Sequence, residues 1–447
     1  MKQKIIISAL ITIVLLKCGT TTAQEESAIN VLIGNEVNRF SERAYNIYVD
    51  LHQTPELSLM EFETSSKMAK YLDEFGFDVT TGIGGNGVVG ILKNGDGPVI
   101  LLRTDMDALP IKETTGLEFA STRIREDPEG NKWPVMHACG HDMHMTVWLG
   151  AINTLVRLSS EWSGTLIAIA QPAEEVVGGA SGMINDGLFK RFPVPDFALC
   201  YHVSAELPAG SVGFYPGSIF AGVNSADLTI FGVGGHGAMP HTTIDPIVLS
   251  AQTILSLQTI VSREINPVYP AVVTVGSIHG GTKDNIIPEE VTMQLTLRFF
   301  DEKVYEKIRE ALIRIPEGIA RAAGLPDDKM PRLILGDHYT PPVTNDPDLI
   351  NRASASMRDI IGEKNVFRVD PATVAEDFGR YGRTEEQVKI ALFWLGTVNP
   401  QKLLEANEAG SSIPALHNPG FCPDFYPTFE GGVKAMVRTV IDLYNIR

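Results

Sequence analysis

The chain has 447 residues, 44% hydrophobic and 20% charged, enough for a sizeable core and for more than one domain. Its formal net charge of -17 argues against nucleic acid or an anionic membrane surface as partner, because either calls for a basic patch. Small molecules or peptides remain. Lys2 and Lys4 precede an apolar run from Ile5 to Leu16, and Thr21-Thr22-Ala23 supplies the small residues that a signal peptidase reads. These features predict a signal peptide over residues 1–23 and an exported protein, periplasmic or secreted. The run is too short to be an integral membrane span. Cys18 raises a lipoprotein alternative, which Lys17 just before it disfavours. The remaining thiols, Cys139, Cys200 and Cys422, are too few and odd in number for a disulfide framework.

Residues from about Ile29 to Glu74 read as helical, with a break at His52 and Pro55-Glu56. Val79 to Ile83 and Val88 to Leu92 read as short strands. Pro98 to Leu102 is a continuous apolar run of strand length that leads into Asp105 and Asp107. The stretch from His137 to His144, His-Ala-Cys-Gly-His-Asp-Met-His, then packs a thiol, three imidazoles and a carboxylate into eight residues. A lone histidine at a helix start usually caps or packs, but thiolate and imidazole together are typical ligands of a zinc-like ion. The apolar residues that follow, from Met145 to Leu155, have helical spacing, so the cluster sits where a loop enters a helix. Gly164 to Ala170 is another buried strand and runs into Gln171-Pro172-Ala173-Glu174-Glu175. Met183 to Phe189 reads as a short helix, and Asp196 to Tyr201 as a strand ending in His202. Carboxylates or imidazole thus follow three apolar strands, and ligands of open α/β sheets gather at the carboxyl ends of strands. The coincidence predicts one metal centre.

From Gly222 the character changes. Ser225 to Val233 alternates like a strand, Pro246 to Arg263 is an amphipathic helix, and Ala271 to Ile278 and Val291 to Phe300 are strands. Glu302 to Ala323 is a helix and Arg332 to Leu335 a last strand. The order βαββαβ is the ferredoxin-like pattern. It predicts an inserted α+β lid over residues 222–338 that closes on a catalytic domain formed by 30–221 and 339–447, with Tyr339-Thr340-Pro341-Pro342-Val343 as return linker. The last part carries Ala375-Glu376-Asp377-Phe378 and Leu416-His417-Asn418-Pro419.

These stretches, together with Gly234 to His241 and Asn285-Ile286-Ile287-Pro288, resemble the N-acyl-amino-acid amidohydrolases. That group includes hippurate and indole-acetyl-amino-acid hydrolases within the aminoacylase and carboxypeptidase superfamily of dinuclear metallopeptidases, and the resemblance runs from about residue 35 onward. It implies an α/β, zinc-peptidase-like catalytic domain with a central mixed sheet and helices on both faces. It further implies two divalent ions, zinc or manganese before cobalt or nickel, held by Cys139, His141, Glu175, His202 and His417. Glu174 would be the general acid/base, Asp107 a carboxylate that orients a ligand, and Asp142 and His144 further support. Phe421-Cys422-Pro423 departs from the more acidic tail of the family. Cys139 as thiolate and Glu175 would leave two divalent ions net positive, which suits a substrate presenting a carbonyl oxygen and a carboxylate. The resemblance places His236, Asn285 and Arg298 of the lid near that carboxylate or the tetrahedral oxyanion, although each residue type is equally at home in an ordinary loop. The expected substrate is an N-acyl amino acid or a dipeptide, and the expected assembly is a homodimer through the lid. A dipeptidase or carboxypeptidase of the same architecture is the alternative.

Overall fold

Successive side chains of a strand point to opposite faces of its sheet, and the apolar runs fill both faces. In the computed structural model, which describes residues 27–445 except 338, Ile100 and Leu102 of the strand Val99–Asp105 pack into one core and Leu101 into another. Leu166, Ala168 and Ala170 of Gly164–Gln171 join the first core, while Ile167 and Ile169 join the second. Phe197–Pro208 and Lys389–Val398 divide in the same way. Burial on both faces is why these segments read as unbroken hydrophobic runs. Each such Leu or Ile contributes roughly 1.5–3 kcal/mol of burial.

The four strands are the parallel centre of an eight-stranded mixed sheet. Its order is Asp78–Ile83, Gly87–Asn94, Gly164–Gln171, Val99–Asp105, Phe197–Pro208, Lys389–Val398, Val212–Phe214 and Val366–Arg368. Ala28–Gln53, Phe62–Glu74, His141–Arg157, Pro347–Ile361 and Phe425–Tyr444 supply the helical side chains of the first core. The second is covered by Gly179–Asn185, Leu188–Arg191 and the 3-10 turns of Asp377–Arg383. Helices on both faces agree with the expected architecture.

Residues 222–335 form a second sheet with its own core. Its four strands lie antiparallel in the order Ala271–His279, Glu290–Phe299, Gly222–Phe231, Arg332–Leu335. The helices Pro246–Thr259 and Glu302–Ala322 pack on it around Leu228, Leu257, Leu295, Leu297 and Ile308. The chain order is the expected βαββαβ, with an added two-stranded ribbon, Gly235–His236 against Ile286–Ile287.

Two local expectations change. Gly187, at φ 87°, breaks the helix expected over Met183 to Phe189 into two short ones. The strand expected to end at Tyr201 continues to Pro208, because Val203 and Ser204 pair with Leu395 and Gly396; His202 therefore lies within a strand. Gly217–Phe220 and Val343–Asn345 pair beside the two passages into the second sheet. Among the described residues no helix is long and apolar enough to cross a membrane. The signal-peptide features and Cys18 lie outside the described residues.

Candidate metal centre

The parallel strands bring their carboxyl ends to one edge of the large sheet. Asp105 ends its strand in register with Gln171, and His202 lies two residues beyond Cys200, the partner of Arg103 on the next strand. In front of the helix His141–Arg157 the chain turns at Gly140, at φ 78°. A Cβ there would stand 2.7 Å from Val203 Cγ2, so glycine is what lets Cys139 and His141 turn toward the same point.

All five expected ligands converge. Cys139 Sγ is 3.5 Å from His202 Nε2 and 3.3 Å from His417 Nε2. The two oxygens of Glu175 lie 3.8 Å from His141 Nε2 and 3.5 Å from His417 Nε2. Cys139 belongs to two groups able to enclose a cation, one with His141 and His202 and one with Glu175 and His417. Its sulfur thus stands between two positions. Glu174 joins His141 and Glu175 in a third such group. His417 takes a left-handed backbone, φ 63°, a conformation that non-glycine residues adopt at a cost and that clusters at functional sites.

The surrounding groups fix the candidates. Asp107 Oδ2 accepts hydrogen bonds from Ser58 Oγ at 2.7 Å and from the Glu175 amide at 2.9 Å, while its Oδ1 faces His141 Nδ1 at 3.3 Å. His144 Nε2 accepts from the Val203 amide at 2.8 Å, so its other nitrogen donates to Asp105 Oδ1 at 2.7 Å. Asp142 pairs instead with the buried His52, at 2.7 Å. Glu113 lies 3.0 Å from the other nitrogen of that ring, and the two carboxylates outweigh burial to lift His52 to about 9.

Both ring nitrogens of His141, Glu175 Oε1 and Asp107 Oδ1 are buried and make no hydrogen bond. Leaving such atoms unpaired costs about 1–3 kcal/mol each; His141 Nδ1 and Asp107 Oδ1 face each other, whereas His141 Nε2 and Glu175 Oε1 have no partner within hydrogen-bond distance and suit a cation. The donor set of thiol, imidazole and carboxylate fits ions of the zinc and manganese kind. The electrostatics point the same way. Burial, then the charges of Glu175 and Glu174, hold the Cys139 thiol well above its ordinary value, so the thiolate needs a cation beside it. Burial lowers His141, but Asp105, Asp107 and Glu175 outweigh it and lift the ring to about 10. Burial pushes Glu175 up to about 7; it raises Glu174 well above the carboxylate range, with Glu376 and Glu175 adding. His202 is held well below its ordinary value by burial, then by His144, leaving a neutral ring.

Beneath Glu174 lies a buried network. Arg103 donates to Asp105 at 2.7 Å, Glu376 at 2.8 Å and Asp377 at 3.2 Å. Oxygens of Glu174, Glu376 and Asp377 lie within 4.8 Å of one another. Asp377 accepts from Gln171 Nε2 at 2.7 Å and from the Ala180 amide at 2.9 Å, gripping both ends of the loop that carries Glu174 and Glu175. Glu61 accepts from the Ala173 amide at 2.8 Å within that loop. Sequence reasoning gave no role to Arg103, Glu376, Asp377 or Glu61; a lone arginine in an apolar strand and the adjacent pair Glu376-Asp377 were the available signals.

The three expected substrate contacts separate. Arg298 lines the same cavity of about 440 Å³ as Cys139, Glu174, Glu175, His202 and His417. Burial alone lowers it, with no charged partner contributing. His236 and Asn285 instead meet on the exposed ribbon, where Gly237 donates to the Asn285 carbonyl at 2.8 Å, and neither lines that cavity.

The family model described as peptidase family M20/M25/M40 matches residues 101–438. The chain is 35% identical over 394 residues to a thermostable carboxypeptidase of Saccharolobus solfataricus, covering 87% of this chain and 93% of the relative. It is 38% identical over 335 residues to the hippurate hydrolase of Campylobacter jejuni, 74% of this chain and 82% of that one. Among solved structures it resembles a dinuclear metal-binding peptidase of the M20 family from Bacillus subtilis, with a TM-score of 0.74 and 29% identity over 92% of this chain and all of that one.

Proposed function

The chain belongs to peptidase family M20/M25/M40, and from that premise we propose that it is a metal-dependent amidohydrolase acting on N-acyl amino acids, with the following roles for its residues. Cys139, His141, Glu175, His202 and His417 would hold two divalent ions, zinc or manganese, and Cys139 belongs to both candidate groups. The observation that carries this is the convergence of four other ligands on the sulfur of Cys139, the five coming from four separate segments. When bound, the ions polarise the amide carbonyl and make water a better nucleophile.

The remaining work falls to the side chains. Glu174 is buried with its carboxyl raised, the condition that lets a carboxylate take a proton from water and return it to the departing amine. Asp107 holds the Glu175 amide and faces His141, so it orients both ligands. Arg298, without a charged partner in the site cavity, pairs with the α-carboxylate through two parallel bonds. His236 and Asn285 stay candidates for substrate contact only if the ribbon approaches the site. Pairing of two copies through residues 222–338 belongs to the same proposal and is supported by the exposed Ile247, Val248 and Leu255 on one helix. Export is supported by Lys2, Lys4 and the apolar run after them.

The similarity to a carboxypeptidase favours one second reading, cleavage of a peptide's terminal residue by the same groups. Metal-loaded enzyme assayed on a panel of N-acyl amino acids and dipeptides separates the two. Preferential release of free amino acids from N-acyl conjugates supports the amidohydrolase; turnover of dipeptides alone refutes it.

A further inference from the structure

The candidate ligands are not held equally firmly. His141 opens the helix His141–Arg157, which is buried at every residue as far as Leu155, and His202 lies inside the strand Phe197–Pro208. His417 stands on a loop, its side chain 54% exposed and its backbone left-handed. That loop is tied to its surroundings through the backbone: the His417 amide donates to the Ala138 carbonyl at 2.9 Å, and the Thr114 amide donates to the Pro419 carbonyl at 2.8 Å. Thr114 belongs to an irregular segment, residues 106–123, between the strands Val99–Asp105 and Ile124–Glu126. How firmly that segment is fixed therefore bears on how firmly the most exposed candidate ligand is held.

The segment docks on His52, in the last turn of the helix Ala28–Gln53. The ring is buried between two carboxylates, with Nδ1 2.7 Å from Asp142 Oδ2 and Nε2 3.0 Å from Glu113 Oε1. An ionised carboxylate only accepts, so both ring nitrogens donate and the ring is an imidazolium. Burial raises both carboxyls, but the hydrogen bond from His52 leads the groups that outweigh it and hold each below its ordinary value. Phe119, on the same segment as Glu113, packs edge-on to the imidazole with ring centroids 5.3 Å apart. The other oxygen of Glu113 accepts from the Ser121 amide at 2.6 Å, so this one carboxylate both closes the segment on itself and fastens it to His52. Asp142, in the first turn of the buried helix, is the fixed end of the arrangement.

We infer that His52 is a positioning residue for His417: the contacts that run from Asp142 through His52, Glu113 and Thr114 to Pro419 pass the fixed position of the helix His141–Arg157 on to the loop that carries the most exposed candidate ligand. The inference deepens the two-ion proposal and rests on it. Cys139, His141 and His202 form one candidate group, and Cys139, Glu175 and His417 another. Loosening the loop therefore weakens the second group and leaves the first, whose histidines stand on a buried helix and a central strand.

Zinc titrated by calorimetry into the chelator-stripped full chain reads two uptake steps. His52→Gln should weaken one of them by about tenfold or more, the usual effect of removing a group that orients a ligand, and leave the other unchanged. Glu113→Gln, which keeps the pair of His52 with Asp142, should do the same, and it carries the comparison if His52→Gln does not fold. His417→Ala removes the affected group outright. Adding His52→Gln to it should then leave the remaining step as it is in His417→Ala alone, a non-additivity that a histidine serving stability in general does not produce. Two steps weakened alike, two steps unmoved, or a remaining step weaker in the double variant overturns the inference and leaves the two-ion proposal standing. Wild-type protein that takes up fewer than two zinc ions overturns that proposal, and the inference with it.

Discussion

Arg103→Met removes the guanidinium that three buried carboxylates share and should destabilise the protein in a strongly pH-dependent way. Arg103, Asp105, Glu376 and Asp377 have fully buried side chains, and the three ion pairs measure 2.7, 2.8 and 3.2 Å. A close pair near 4 Å between charge centres is worth about 4 kcal/mol at an effective dielectric of 20, but burying the guanidinium has already cost several kcal/mol. Experience with one partner removed from a buried pair gives a net loss of about 3–5 kcal/mol. The pH sign follows from the carboxylates. Even with Arg103 present, burial holds Glu376 above its ordinary value and pushes Asp377 to about 7. A carboxyl raised in the folded state binds its proton more tightly there, so stability falls as pH rises from about 4, the unfolded value, to the folded value. Without the guanidinium this window extends upward. The variant should therefore lose about 3–5 kcal/mol at pH 8, and roughly half of that at pH 5, where a proton replaces the missing charge. Urea unfolding followed by near-ultraviolet circular dichroism, with chelator in every sample, measures both values. Arg103→Lys, which keeps the charge but loses the planar fork, should fall between. A loss under about 1 kcal/mol at pH 8, against the expected 3–5, or an equal loss at both pH values, would refute this account of the cluster.

Wild-type protein should bind two divalent ions per chain, and Cys139→Ala should lower both metal content and activity; full occupancy by elemental analysis in that variant removes the sulfur from the ligand set. Glu174→Gln should keep nearly normal metal content while kcat falls about a hundredfold or more, whereas Glu175→Gln should lose metal as well; the reverse pattern exchanges their roles. Amidating the α-carboxylate of a good substrate should lower kcat/KM by about a hundredfold, on the order of 3 kcal/mol. Arg298→Ala should erase most of that difference, and a free acid no better than its amide in the wild type rules out carboxylate recognition.

That the candidate ligands lie together is legible in the sequence because their chemistry is concentrated. Cys139 and His141 stand on either side of a glycine, Glu174 and Glu175 follow an apolar strand, and each pattern needs only a few residues to register. The same holds for the large sheet, whose doubly buried strands have no other plausible reading. What escaped depends on long-range pairing. Arg103 meets Glu376 across 273 residues, and nothing local to either says that one neutralises the other. The extension of the strand through His202 to Pro208 depends on the partner Lys389–Val398, which propensity within the segment does not contain. Asp142 sits next to His141 in the sequence, but the partner of its carboxylate is His52, 90 residues earlier. The position of His236 and Asn285 turned on the orientation of a two-residue ribbon, too short for any periodic signal.

The strand Phe197–Pro208 and its neighbour Lys389–Val398 are joined at Thr397 and Ser204 across 193 residues of sequence, and this has a consequence for synthesis. At a ribosomal pace of about 5–20 residues per second, the earlier strand waits roughly 10–40 s for its partner. During that interval the residues from Gly222 to Leu335 can fold around their own core, because all four strands of their sheet are already made. The free edge of Phe197–Pro208 meanwhile presents unpaired amides and carbonyls, the kind of surface that recruits other chains. Chaperone demand should therefore peak while the inserted segment is emerging. His417 leaves the ribosome only after the closing strand has appeared, so the group that it forms with Cys139 and Glu175 is the last part of the site to be assembled.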